Sequence, residues 1–315
     1  HEINRIDHYL GKELVRNIMV LRFANPLFER AWDRHGVDHV QVTLAETLGV
    51  GDRAGYYESV GAVRDMLQNH MLQVLALAAM ERPASLAADA VRDAMVRAIE
   101  ALAPAAPADV VLGQYGAGEV GGERVRAYRD EDGVDPRSAT DTFAAVRARI
   151  DHPRWEGVPF LLRTGKRLGK QFAEANVVLR GGGGLFGGAG AAPNVISIRI
   201  QPHEGISVAC NVKAPGEELR LEPVVMDHCH NCLYGIDTPG AYEVLLQDFL
   251  EGDATLFARW DFVRASWAFV DPIARLAGAR AAGFPNYAAG TFGPDAAEAL
   301  PGQRRRWIVS RDILG

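Results

Sequence analysis

Between Arg5 and Glu13 the sequence reads Arg-Ile-Asp-His-Tyr-Leu-Gly-Lys-Glu, which places Asp7, His8, Tyr9 and Lys12 close together just ahead of a predicted helix. Imidazole, phenol and ammonium groups beside a helix N-terminus suit a phosphate monoester, because unpaired amides and the helix dipole already favour negative charge there. The same residues also suit a polar helix start whose charges face water. A second candidate is His70, a turn away from both Leu67 and Val74 and therefore on the apolar stripe of a helix predicted over Tyr56 to Met80. A histidine in that place is either a core residue hydrogen-bonded to a neighbour or a half-buried general base that a carboxylate orients for removing a hydroxyl proton. Asp65 precedes it by five residues. That is about 140° around an ideal helix, so direct contact with His70 is not expected, although Asp65 could meet the other side of a ligand lying over that face.

The elements that must position these groups follow from the spacing of apolar residues. Val60, Val63, Leu67, Met71, Val74, Leu75 and Ala78 recur at intervals of three and four, one buried stripe of the Tyr56 to Met80 helix, and another helix is predicted over Leu10 to Phe23. Val40 to Glu46 alternates with period two, setting Val40, Val42 and Leu44 on one face of a strand. Glu46 falls on that apolar face, so its carboxylate is at a strand end or inside something polar. After the Pro- and Ala-rich stretch Ala103 to Asp109 the pattern turns to strands. Asn194 to Gln201 and Ile206 to Lys213 form an antiparallel hairpin across Pro202-His-Glu-Gly205, and Arg163, Val177 to Arg180 and Glu218 to Met226 suggest further strands of the same sheet. Helical pattern returns at Ala241 to Leu250, with Pro239 read as its first-turn proline and Gly252 as its stop, and again at Trp260 to Leu276. The predicted fold is α+β, a large mixed or antiparallel β-sheet with helices packed on one face. It forms one domain over residues 1–315, with a helical segment 1–105, a sheet-rich segment 106–237 and C-terminal helices and tail 238–315.

Composition narrows the function classes. With 315 residues and 48% hydrophobic content the chain can bury a core, which excludes disorder. A net charge of −6 without a Lys/Arg-rich stretch argues against a nucleic-acid binder and leaves room for a local basic pocket for a small anion. The longest apolar stretch, Met71 to Met80, falls far short of the roughly 20 residues of a membrane helix. The first residues do not form a signal peptide, so no membrane contact, no targeting segment and a cytoplasmic location are expected. The three cysteines, Cys210, Cys229 and Cys232, exclude a disulfide framework and favour a reducing compartment. Cys229-His-Asn-Cys232, flanked by His228, has no second ligand pair for a structural zinc and does not open a helix as a thioredoxin-type pair does; it reads as a strand end with reduced thiols, and no metal is expected. The glycine-rich run Gly181 to Gly190 leads into another strand, not a helix, and reads as a surface connection instead of a phosphate cradle. The sequence starts at His1 without Met, as though inside a longer polypeptide.

The Arg5–Glu13 segment resembles the active-site signature of the glucose-6-phosphate dehydrogenase family. The resemblance continues through Arg22-Phe-Ala-Asn-Pro-Leu-Phe28, Val42-Thr-Leu-Ala-Glu46, Ala54-Gly-Tyr-Tyr-Glu58, Gly61 to His70, Gln114-Tyr-Gly-Ala-Gly118, Trp155 to Phe160, Arg163-Thr-Gly-Lys166, Phe284-Pro-Asn-Tyr287 and Gly290-Thr-Phe-Gly-Pro294, so nearly the whole chain is covered. It implies oxidation of glucose 6-phosphate to the δ-lactone, the first step of the pentose phosphate pathway, with NADP or NAD as hydride acceptor. In the roles it implies, His70 is the general base and Asp7 orients it, while His8, Tyr9 and Lys12 bind the phosphate. Glu46 and Asp65 accept hydrogen bonds from sugar hydroxyls. Lys166 is a further substrate-binding lysine, and Lys170 corresponds to another basic residue, at a spacing one residue shorter than the family's. The resemblance also implies a homodimer or tetramer through the face of the sheet that the helices leave free. The family's N-terminal Rossmann coenzyme domain and its glycine fingerprint have no counterpart here, so the chain alone is expected to be inactive. The alternative is a stand-alone, non-catalytic sugar-phosphate-binding module.

Overall fold

The computed structural model describes residues 3–181, 185–186, 191–216, 218–230, 232 and 239–310. In chain order the strands are β1 (Val37–Ala45), β2 (Val110–Gly113), β3 (Tyr115–Gly116), β4 (Gly118–Val120), β5 (Glu123–Val125), β6 (Phe143–Ala148), β7 (Phe160–Gly165), β8 (Phe172–Leu179), β9 (Val195–Gln201), β10 (Gly205–Lys213), β11 (Leu221–Cys229) and β12 (Tyr287–Ala288). Eight of them form one mixed sheet in the order β11-β10-β9-β8-β1-β7-β6-β2, with β3 pairing β12 and β4 pairing β5 beside it. This is the expected α+β architecture, and β9 and β10 form the expected hairpin.

One pairing decides where the site lies. Within the large sheet β1 and β7 run parallel, Ala45 opposite Gly165, so the residues that follow, Glu46 and Lys166, leave the same edge. The antiparallel neighbours bring the end of β9 there as well, since Ala45 pairs with Phe172 and Ala173 with Gln201. Carboxyl ends of strands from three separate parts of the chain therefore meet at one sheet edge.

On one face Val40, Val42 and Leu44 join the main core with Leu14 and Ile18 of the Glu13–Phe23 helix and with Val63, Leu67 and Met71. The alternating residues on the other face, Gln41 and Thr43, are also fully buried. The chain's own C-terminal segment covers them: Gln41 donates to the Arg306 carbonyl at 2.7 Å and accepts from the Ile308 amide at 2.9 Å, and the Ser310 hydroxyl donates to Glu174. The expected free face is thus closed over β1 and β8. What stays open is the β10–β11 end, where Met226 is 60% exposed.

Several local expectations change. The first helix starts at Glu13 instead of Leu10, because Asp7 to Lys12 form tight turns closed by Leu10 N–H to the Asp7 carbonyl and Lys12 N–H to the Tyr9 carbonyl. The continuous helix over Tyr56 to Met80 is three pieces: a helix Ala54–Ala62 broken at Gly61 (φ 63°), a π-helix Val63–Met71 and a helix Leu72–Ala79. Pro239 precedes the Ala241–Glu251 helix but is not its first residue, since Gly240 is the N-cap, while Gly252 closes it at φ 75° as expected. The helix starting at Trp260 runs to Arg280 through Pro272. The reduced-thiol reading is overturned: the chain turns helical at His230 after β11, the Cα atoms of Cys229 and Cys232 come to 5.3 Å and the sulfurs are bonded. Of the glycine-rich run, positions 182–184 and 187–190 lie outside the described residues, and Gly181, Leu185 and Phe186 are exposed. Among the described residues no helix is long and apolar enough to cross a membrane.

Candidate active site

Asp7 sits on the first of the turns ahead of the Glu13–Phe23 helix, only 2% exposed. Its Oδ1 accepts the Tyr9 amide at 2.9 Å and lies 2.7 Å from His70 Nδ1. A carboxylate oxygen accepts, so the proton is on Nδ1 and the lone pair of Nε2 is left for other work. Two rings then fix the imidazole plane. Tyr9 stacks on it with centroids 4.4 Å apart, and His8 meets it edge-on at 4.5 Å. Asp7 Oδ2 is buried without a hydrogen-bond partner among the described residues. One ligand atom from each of Asp7, His8 and His70 lies within 4.8 Å of the others, a donor set that could hold a metal ion.

The basic groups lie alongside. Lys12 Nζ donates to Gln201 Oε1 at 2.7 Å and sits 5.2 Å from the Tyr9 ring centre. Burial pulls its pKa below the usual value, with Glu204 opposing. His8, stacked against Tyr242, is also pulled down, chiefly by burial and then by the neighbouring His70. Both groups therefore hold a proton less readily than in water, and an incoming anion would reverse this by favouring their charged forms.

At the strand ends Lys166, 1% exposed, donates to Glu46 Oε2 at 2.8 Å, with its ammonium 5.1 Å from the Tyr57 ring centre. Glu46 is therefore at a strand end and in polar company, as its sequence position allowed. Asp65 is half-buried and accepts from the Tyr56 hydroxyl at 3.3 Å. The tyrosines tie the two halves together. The phenol of Tyr9 is raised by burial and by both Glu46 and Asp7, and that of Tyr57 by burial and by Asp141, Asp65, Tyr287 and Glu46. Through these two phenols the Asp7–His70 pair is coupled electrostatically to Glu46, and Glu46 to Asp65 and Lys166. Lys170 is exposed in the β7–β8 turn, two residues before Phe172, the partner of Ala45. Sequence reasoning missed Gln201, Tyr57 and Tyr242. Gln201 had a signal, since it ends the predicted hairpin strand, but only the strand order brings that end to Lys12.

The sequence profile described as "Glucose-6-phosphate dehydrogenase, C-terminal domain" matches residues 19–308. This chain belongs to that family. Members similar to it include the glucose-6-phosphate 1-dehydrogenases of Aggregatibacter actinomycetemcomitans, 47% identical over 95% of this chain, and Bacillus subtilis, 46% identical over 95%. The chain spans 61% and 63% of the length of those two relatives. Among solved structures, a glucose-6-phosphate dehydrogenase in complex with glucose-6-phosphate is similar over 95% of this chain and 62% of its own, with a TM-score of 0.86 and 36% identity. The glucose-6-phosphate 1-dehydrogenase of Mycobacterium avium superposes with a TM-score of 0.82 at 35% identity, over 97% of this chain and 63% of its own. The family profile starts after the Asp7–Lys12 turns, so the geometry of those turns is independent of that match.

Proposed function

We propose that this chain is the sugar-phosphate-binding and proton-abstracting part of a glucose-6-phosphate dehydrogenase. The observation that carries the reading is the buried Asp7–His70 pair at 2.7 Å, set beside the His8 imidazole and the Lys12 ammonium. His70 Nε2 takes the proton of the C1 hydroxyl, and Asp7 stabilises the imidazolium that forms. His8, Tyr9 and Lys12 hold the phosphate, with Gln201 fixing the lysine. Glu46 and Asp65 accept hydrogen bonds from the sugar hydroxyls, and Lys166 and Lys170 are further substrate-binding cations, so that C1 is held against the base. NADP or NAD supplies the hydride acceptor in this reaction. The described residues do not fit that group: β1 leads through Gly49 and Gly51 into the Ala54–Ala62 helix, but the next strand, β2, is not its neighbour in the sheet, so no βαβ unit is built at that turn, and the coenzyme is assigned to another part of the full polypeptide. A non-catalytic sugar-phosphate module would leave the buried dyad without work. A phosphorylated sugar as substrate also favours a cytoplasmic location.

The complete polypeptide that carries this chain is expected to reduce NADP or NAD with glucose 6-phosphate; no reduction of either coenzyme would sink the reading. In the same assay Lys12→Ala should raise KM for glucose 6-phosphate about 30- to 100-fold, the worth of one charge-assisted contact to phosphate, with kcat little changed. Activity toward unphosphorylated glucose should stay within about threefold, and an equal loss on both sugars would place Lys12 away from the phosphate.

We further propose a homodimer formed at the open end of the sheet. β11 is an edge strand, partly exposed along its length, with Val224 38% and Met226 60% exposed, and unpaired strand edges seek partners. Light scattering should give twice the polypeptide mass or a multiple of it, and Met226→Lys should shift the protein toward monomer. A wild-type monomer at assay concentration would contradict this.

A further inference from the structure

Asp141 is absent from the site just described, yet it holds the helix that carries two of its residues. It lies in the loop before β6, 5% exposed. Its Oδ2 accepts the Val63 amide at 2.9 Å, and its backbone carbonyl accepts the Ala62 amide at 2.8 Å. Val63 is the first residue of the π-helix that carries Asp65 and His70. The first amides of a helix have no partner inside it and attract negative charge, which here comes from a residue 78 positions away in the sequence. Gly61 makes room: a Cβ at that position would stand 2.6 Å from Asp141 Oδ1, and its φ of +63° suits glycine.

The next residue ties the same loop to the other half of the site. The Thr142 carbonyl accepts the Lys166 amide at 2.9 Å, while the Tyr287 hydroxyl lies 3.0 Å from Thr142 Oγ1 and donates to the Lys166 carbonyl at 2.8 Å. Two consecutive residues thus join the start of the π-helix to the strand end that presents Lys166. We propose that Asp141 is a positioning residue, whose carboxylate cap sets the start and rotation of the π-helix so that His70 reaches Asp7 while Asp65 faces the sugar. The inference rests on the reaction assigned above. It also carries a cost to the fold. Burial raises the Asp141 carboxyl to about 6, against the pull of the Val63 and Ala62 amides and of Arg64, and the phenols of Tyr57 and Tyr287 share its surroundings. A carboxyl raised in the folded state stabilises below its unfolded pKa and loses that contribution as pH rises through about 6.

The test uses the complete polypeptide with Asp141→Asn and Asp141→Ala. The amide oxygen of Asn still accepts from Val63, so Asp141→Asn should keep kcat within about threefold of wild type. Its thermal midpoint should exceed wild type at pH 8, by an amount that shrinks toward pH 4, because the buried charge is gone. Asp141→Ala should lose kcat about 10- to 100-fold, the scale of a misplaced catalytic group, with a smaller change in KM. It should also shift the low-field proton resonance of His70 Nδ1–H, which Asp141→Asn should leave in place. Should Asp141→Ala not fold, Asp141→Ser, with a hydroxyl too short to reach Val63, replaces it under the same criteria. A kcat within twofold of wild type without the cap, or equal impairment of the Asn and Ala variants, overturns the positioning role. If the wild type does not oxidise glucose 6-phosphate, the reaction is what fails, and the resonance still reports whether Asp141 sets the Asp7–His70 bond.

Discussion

His70→Asn in the complete polypeptide should lower kcat for glucose 6-phosphate oxidation by about 10³- to 10⁴-fold while KM changes little. Asparagine is close to histidine in reach, and its side-chain NH2 can still donate to Asp7, so the local packing survives. What it lacks is a basic nitrogen where Nε2 stood. Without it C1 would have to lose its hydride while the O1 proton goes to water or stays in place, which builds a high-energy oxocarbenium-like species. The proposed phosphate contacts come from other side chains, His8, Tyr9 and Lys12, and although the His8 and Tyr9 rings pack against His70 the substitution leaves their polar atoms in place, so binding should persist. A variant that keeps more than a few per cent of wild-type kcat would reject His70 as the base.

The fold was legible where it is local. The β9–β10 hairpin, the strand through Val40 to Leu44 and the helices from Ala241 and from Trp260 all announce themselves by period or by Gly and Pro punctuation within a few residues. What the residues alone hid is non-local or depends on unusual backbone. The fully buried polar face of β1 looks like a solvent face in sequence, because nothing near Gln41 and Thr43 reveals that residues 306–310 will cover them. The Tyr56 to Met80 stripe has helical spacing throughout, but the chain turns at Gly61, where the distant Asp141 accepts the Val63 amide, and winds more widely after it. That winding also undermines the 140° separation of Asp65 from His70 drawn from an ideal helix, since a π-helix turns less per residue. The Cys229–Cys232 bond required knowing that the chain coils immediately after β11. In the site, residue types in the Arg5–Glu13 segment suggested an anion pocket, whereas the partner of His70, 63 positions away, came from family resemblance and not from spacing.

Asp7→Asn is the sharper probe of the dyad, and it should cost about 10²- to 10³-fold in kcat, less than the roughly 10⁴-fold known for triad carboxylates whose replacement also switches the histidine tautomer. The difference follows from Tyr9. Asp7 Oδ1 serves two donors at once, the Tyr9 amide at 2.9 Å and His70 Nδ1 at 2.7 Å. An Asn at this position that turned its NH2 toward His70 would bring two N–H groups face to face at Tyr9, so the backbone amide selects the rotamer with oxygen toward both. The proton then stays on Nδ1 and the correct tautomer survives. Two losses remain. The neutral amide stabilises the imidazolium less than a carboxylate does. The NH2 also takes the place of Oδ2, buried with no partner among the described residues, an unsatisfied donor worth about 1–3 kcal/mol of folding stability. The expected signature is therefore a kcat defect with KM for glucose 6-phosphate almost unchanged, a lower thermal midpoint, and a His70 Nδ1–H resonance still present but moved upfield. A kcat within about tenfold of wild type would mean that Tyr9 stacking and the His8 edge contact alone orient the base, and that the 2.7 Å contact contributes only to packing.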